Sequence, residues 1–195
     1  MRRLRQFLIL LLISGITGGA SAQEPQILPR KLLDDGWIEL FDGTTLFGWQ
    51  TVGEARWFAN RGVVSTPGDK PGWLMTTAPW SDFELHAEFK APAETNSGIF
   101  FRSALEPTDP SKDCYELNIA PQDNPFPTGS LVGRARGKAI NVGDGEWHSF
   151  DVMASAGKVT VHCDGQLAVE YSQAVLESGR SGQVIRFKQE GGLEK

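Results

Sequence analysis

The sequence predicts an all-β fold, a sandwich of two antiparallel sheets, on three observations. Short runs rich in β-branched and aromatic residues recur about every 8–15 residues. Gly, Pro, Asn and Asp stand between those runs. No segment holds a 3.6-residue apolar period long enough for a helix, which argues against α/β architectures.

In chain order, WIELF leads to a turn at Asp42-Gly43, and WFANRGVVST crosses another at Asn60-Arg61-Gly62. GWLMTT and DFELHAEF come next, then SGIFFRS, CYELNIA, EWHSFDVMAS, KVTVHCDG and QLAVEY. The clearest hairpin is KVTVHCDGQLAVEY, where Val159, Val161 and Cys163 alternate with polar residues up to an Asp164-Gly165 turn. His162 in that hairpin reads as a solvent-face residue. No internal repeat or low-complexity tract interrupts the pattern, so the expectation is one domain.

Residues 1–22 read as a signal peptide, outside the fold. Arg2, Arg3 and Arg5 are followed by the apolar run Phe7 to Ile13, and Ala20-Ser21-Ala22 forms a small-residue cleavage site before Gln23. The apolar run is too short to span a bilayer. The expected location is periplasmic or extracellular. Residues 23–35 read as a polar tether, and 36–195 as the domain. Without its leader the chain keeps 16 basic against 24 acidic residues, a net charge of −8. That balance offers no footprint for nucleic acid or anionic membrane, and favours neutral substrates or other proteins as partners.

Two cysteines, Cys114 and Cys163, enter an oxidising compartment on this reading. A bond between them would close a loop of about fifty residues, for roughly 3–4 kcal/mol in the chain-entropy model. Two buried thiols are an equally good reading, because sequence gives no Cα separation. The scattered histidines and the lack of CxxC or HExxH argue against zinc. Glu, Asp and Asn oxygens suit Ca²⁺, but no ligand spacing demands it, so no cofactor is evident and a divalent metal stays open.

The candidate chemistry sits in the stretch 82–102, DFELHAEFKAPAETNSGIFFR. Phe83, Leu85, Ala87 and Phe89 point one way, and Glu84, His86 and Glu88 the other. Alternate residues on a strand lie about 6.5–7 Å apart, a separation that suits paired carboxylates in glycoside chemistry. The competing reading is a solvated face of alternating charges. Arg102 ends the next strand, and in CYELNIA the residues Glu116 and Asn118 alternate with apolar ones. Should these strands lie side by side, Glu88, Arg102 and Glu116 converge, with Arg holding the carboxylates ionised. A plain Arg–Glu bridge explains the same pattern.

Tryptophans suit sugar faces and also fill cores. Trp147 reads as core, whereas Trp73 and Trp80, flanking a loop after PGDKPG, read as a binding rim. PQDNPFPTGSLVGR is too long for a tight turn and suggests a functional loop, with Asp123, Asn124, Thr128 and Ser130 as ligand contacts or turn caps. No GxSxG, Walker or GxGxxG motif is present.

Together, WIELFDGTTLFGW, SDFELHAEFKAPAETNSGIFFRS, YELNI…PTGSLVGR and DGEWHSFDVMASAGKVTVHCDGQLAVEY resemble the 3-keto-disaccharide hydrolase family, over essentially all of the chain from Gly36. The resemblance implies a concanavalin A-like jelly-roll sandwich acting on glycosides oxidised at C3. A C3 ketone acidifies the C2 hydrogen, so a base removes it, the C1 substituent leaves by β-elimination, and water adds to the enone. By motif the catalytic expectation falls on Glu116 as base or acid, Arg102 as oxyanion partner and Glu88 as second carboxylate. Glu84, His86, Asn118, Trp73 and Thr128 are expected to bind substrate. His86 departs from the family's pattern, where Arg or another residue is as usual. A second departure is the ending GQVIRFKQEGGLEK, where the family's pattern runs on, so a sandwich lacking its final strand is expected. The alternative function is a non-catalytic carbohydrate-binding module on the same fold.

Overall fold

The computed structural model describes residues 5–9, 28–103, 113–138, 140, 145–172 and 184–189. In chain order the elements are β1 Arg5–Ile9, α1 Arg30–Asp34, β2 Trp37–Glu39, β3 Trp49–Gly53, β4 Phe58–Asn60, β5 Val63–Ser65, β6 Gly72–Thr76 and β7 Phe83–Lys90. They continue with β8 Ser97–Ser103, β9 Tyr115–Ile119, β10 Trp147–Ser155, β11 Lys158–Cys163, β12 Gln166–Ser172 and β13 Val184–Gln189.

Two sheets form the body. One runs β12-β11-β10-β7-β1-β2, the other β3-β6-β13-β8-β9, and β4-β5 is a separate hairpin. The alternation predicted for β7 is seen residue by residue: Phe83, Leu85, Ala87 and Phe89 are buried, and Glu84, His86 and Glu88 are not. β10 repeats it, with Phe150, Val152 and Ala154 inward. The facing sheet contributes Leu74, Ile99, Phe101, Leu117 and Ile119 to the same cluster. Phe83 of one sheet meets Phe101 of the other edge-on, with centroids 5.7 Å apart. Burial of such side chains, at about 25 cal/mol per Å², drives the two sheets together.

The hairpin turns reflect their chemistry. Arg61-Gly62, Ala156-Gly157 and Asp164-Gly165 all hold positive φ at both positions. That is the primed geometry whose twist matches the flanking strands.

The structure corrects several expectations. The sheets are not purely antiparallel, because β1 pairs in parallel with both β2 and β7. β1 lies within the residues read as a leader outside the fold; its extended backbone is seated between two strand edges. One short helix, α1, falls in the presumed tether. Trp147 is exposed at 44%, since odd-numbered residues of β10 face outward. Trp80 packs against the core and not on a rim, whereas Trp49 and Trp57 are core residues. β3 and β13 were not among the predicted strands. Cys114 and Cys163 are both buried, and no disulfide joins them. The segment beyond Gln189, where a final strand is expected to be missing, lies outside the described residues.

Candidate functional site

The five-stranded sheet positions the best candidate site, on the face turned away from the core. Residues directly opposite in an antiparallel pair share a face. Register therefore defines one row of Gln50, Met75, Arg186, Phe100 and Glu116. The next row holds Val52, Trp73, Lys188, Gly98 and Asn118. Met75, Phe100, Glu116 and Asn118 are buried although none belongs to the inter-sheet core. Every residue of β8 and β9 is buried, so both faces of these strands are covered. This face is covered and not an open sheet surface.

Glu116 is only 3% exposed. Its side chain lies over Gly98: a Cβ on that glycine would come 3.4 Å from Glu116 Cγ and 3.5 Å from its Oε1. The same Cβ would stand 2.7 Å from the Leu117 carbonyl oxygen, so the glycine is required by space. Asn118, also 3% exposed, donates from Nδ2 to the Phe126 carbonyl, which fixes the amide. Its Oδ1 is buried and has no hydrogen-bond partner among the described residues. A buried acceptor left in that state calls for an explanation, and a ligand hydroxyl supplies one. Trp73 and Phe100 add an aromatic pair with centroids 6.5 Å apart.

The loop after β9 holds the backbone of this strand. The Ser130 carbonyl accepts from the Asn118 N–H, Gly129 N–H donates to the Asn118 carbonyl, and Val132 N–H donates to the Glu116 carbonyl. The backbone of both site residues is thus held by the PTGSLV segment. Thr128 belongs to that framework: its hydroxyl donates to the Ala120 carbonyl at 2.9 Å and accepts the Ala120 N–H at 3.0 Å. It lines a separate cavity of about 240 Å³ at the end of the sandwich, with Phe89, Thr95, Gln122 and His148.

Arg102 does not join Glu116. The β8–β13 pairing shifts register between Val184 and Arg186, a bulge on the β8 side. Within it Arg102 has φ +49°, a strained conformation for a residue with a side chain. Its guanidinium sits 3.2 Å from Asp82 and 5.9 Å from the ring centroid of Tyr115, a core residue. Bulges re-aim side chains, and this one turns Arg102 toward the opposite sheet.

Glu84, His86 and Glu88 lie on the outer face of the six-stranded sheet. His86 Nδ1 is 2.7 Å from Asp151 Oδ1 and its Nε2 3.9 Å from Glu88 Oε1. The two sheets and the core separate this cluster from Glu116, so the expected convergence of Glu88, Arg102 and Glu116 does not occur. Among the described residues no group of three or more His, Cys, Asp or Glu is arranged to hold a metal. Sequence reading missed Gly98, Phe100 and Met75; their only signal was alternation on β6 and β8, legible once the pairing partner is known.

A lectin-like β-sandwich is the class these features define, and solved structures agree. A candidate glycosyl hydrolase from Parabacteroides distasonis superposes with a TM-score of 0.68 at 17% identity, covering 85% of this chain and 93% of that one. The carbohydrate-binding module CBM66 from Bacillus subtilis gives 0.53 at 15% identity, over 74% and 88%. Residues 36–193 match the 3-keto-alpha-glucoside-1,2-lyase-like domain, and the chain belongs to that family. A 3-keto-disaccharide hydrolase of Bacteroides thetaiotaomicron is 34% identical over an aligned length of 185, and the match covers 77% of this chain and 63% of the relative's length.

Proposed function

We propose that this chain is an exported hydrolase of 3-keto-glycosides, working on a jelly-roll scaffold of the concanavalin A type. Glu116 is the base that takes the C2 proton. The electron pair moves toward the C3 carbonyl as an enediolate, then forms the C1=C2 bond as the C1–O bond breaks. The leaving oxygen acquires a proton, and water adds across C1=C2, so the net reaction is hydrolysis. Asn118 Oδ1 accepts a sugar hydroxyl, and Trp73 with Phe100 offers apolar surface to the ring. The observation that carries this reading is the buried Glu116 carboxylate laid over Gly98, beside an Asn118 oxygen that has no partner among the described residues.

The alternative is a sugar-binding face without turnover, which the aromatic pair alone would serve. A chromogenic 3-keto-glucoside, its unoxidised glucoside and an EDTA arm separate the readings. Turnover of the keto substrate is expected, and Glu116→Gln is expected to lower kcat by about 10²–10⁴-fold with KM within a few-fold. Wild-type turnover by Glu116→Gln would remove Glu116 from the chemistry. Binding without turnover in the parent chain would establish the module.

A further inference from the structure

β1 is the hydrogen-bonded link between β2 and the rest of its sheet. It contributes five paired positions with Glu84–Glu88 of β7 and three with Trp37–Glu39 of β2, all parallel. A parallel strand with partners on both sides is an interior element, unlike a frayed terminus. Yet Arg5–Ile9 straddles the basic and apolar parts of what reads as a leader. Taken away, it would leave the β7 edge from Glu84 to Glu88 open and β2 without a sheet partner. An open edge of this kind is a template for another strand.

We propose that the groove between β7 and β2 is an acceptor for an extended strand, and that Arg5–Ile9 is its occupant in the unprocessed chain. Folding before export therefore locks the leader into the sheet by strand addition, hiding the segment an export machinery must read. Export requires that the chain be unfolded or that this strand be withdrawn. The inference rests on the proposed export of the chain, but its physical content does not depend on catalysis.

The test is hydrogen exchange on the full chain, read by mass spectrometry, with native-state trypsin cleavage at Arg5-Gln6 alongside. Amides of 5–9 and 84–88 are expected to exchange at least about 10²-fold more slowly than unstructured backbone. Cleavage at Arg5 is expected to appear only in denaturant. Phe7→Pro, which removes one interior N–H from the ladder, should release 5–9 together with the 84–88 amides that face β1, those facing β10 staying protected, while Thr17→Pro, outside the strand, should release neither. Amides of β10 and β11 report whether the domain is still folded. Unprotected 5–9 in a wild-type chain with protected β10 and β11 would overturn the proposal, as would protection that survives Phe7→Pro in a folded chain at those 84–88 amides that point to β1 and not to β10. Should Phe7→Pro fail to fold, wild-type exchange and the Arg5 cleavage rate decide alone. Catalytic turnover is scored separately, so loss of the hydrolase reading leaves this result standing.

Discussion

Replacing Asp82 by Ala should expose how the Arg102 bulge is held. Asp82 receives the Arg102 guanidinium at 3.2 Å, the Ser155 hydroxyl at 3.0 Å and the Ala156 N–H at 3.3 Å. It therefore ties β8 of one sheet to the β10–β11 turn of the other. Arg102 is 8% exposed and one of its terminal nitrogens is already buried without a partner among the described residues, so it cannot recover hydration when Asp82 goes. Breaking a fully buried pair costs about 3–5 kcal/mol, and an exposed pair contributes about 0–1. The Asp82 side chain is 56% exposed, which places the expected loss between these limits, at about 2–3 kcal/mol. Arg102→Met removes the same bridge together with the buried charge and keeps most of the volume, so about 1 kcal/mol is expected. Because Asp82 also serves Ser155 and Ala156, the decisive quantity is the double-mutant cycle by urea unfolding. Asp82→Ala should cost about 1 kcal/mol in the Arg102→Met background, leaving a coupling of about 1.5 kcal/mol. Coupling below about 0.5 kcal/mol would refute the strut. The same variant judges the oxyanion role: a strut predicts kcat within about threefold for folded Arg102→Met, whereas lost oxyanion contact predicts about 10²-fold or more.

Two further outcomes concern single sites. Gly98→Ala forces a Cβ to within 2.7 Å of a backbone carbonyl and against the Glu116 carboxylate. It should destabilise by about 1–3 kcal/mol and lower kcat more than Tm alone explains; unchanged turnover would show that Glu116 need not lie over this glycine. Burial, helped by Asp164 and Asp151, pushes the Cys163 thiol up to about 12. The folded state holds its proton while the unfolded thiol ionises at about 8.5. Unfolding free energy should therefore fall as pH rises above about 9, with the contribution shrinking until about pH 12, and Cys163→Ala should flatten that slope. A wild-type stability flat from about pH 8 to 10.5 would contradict the burial.

Strand identity was legible because alternation and turn chemistry are local. β7 shows it fully, and the positive-φ pairs at Arg61-Gly62 and Asp164-Gly165 sit where the sequence put turns. Sheet membership was not legible, because alternation marks two faces without saying which sheet owns them. Glu88 and Glu116 carry the same pattern on their strands and end on opposite outer faces. Arg102 failed for a different reason. Counting by twos from Phe100 sends it outward, and a one-residue bulge reverses that. β13 breaks the rule that central strands read as apolar runs: Arg186 and Lys188 alternate along it, yet it pairs on both sides.

The site's acceptors bear on what it can hold. Glu116 presents a carboxylate and Asn118 an amide oxygen, with the amide nitrogen already committed to Phe126. These acceptor groups suit a ligand that brings donors, which a sugar does with its hydroxyls. A ketose-like ring adds one more donor of an unusual kind, the acidified C2–H, and only a carboxylate answers it as a base. A carboxylate at 3% exposure carries a desolvation cost that a neutral amide does not, and it can take a proton where an amide cannot. That asymmetry, more than the shared sandwich, is the physical reason to read this face as a place where a proton is taken and not merely where a sugar rests.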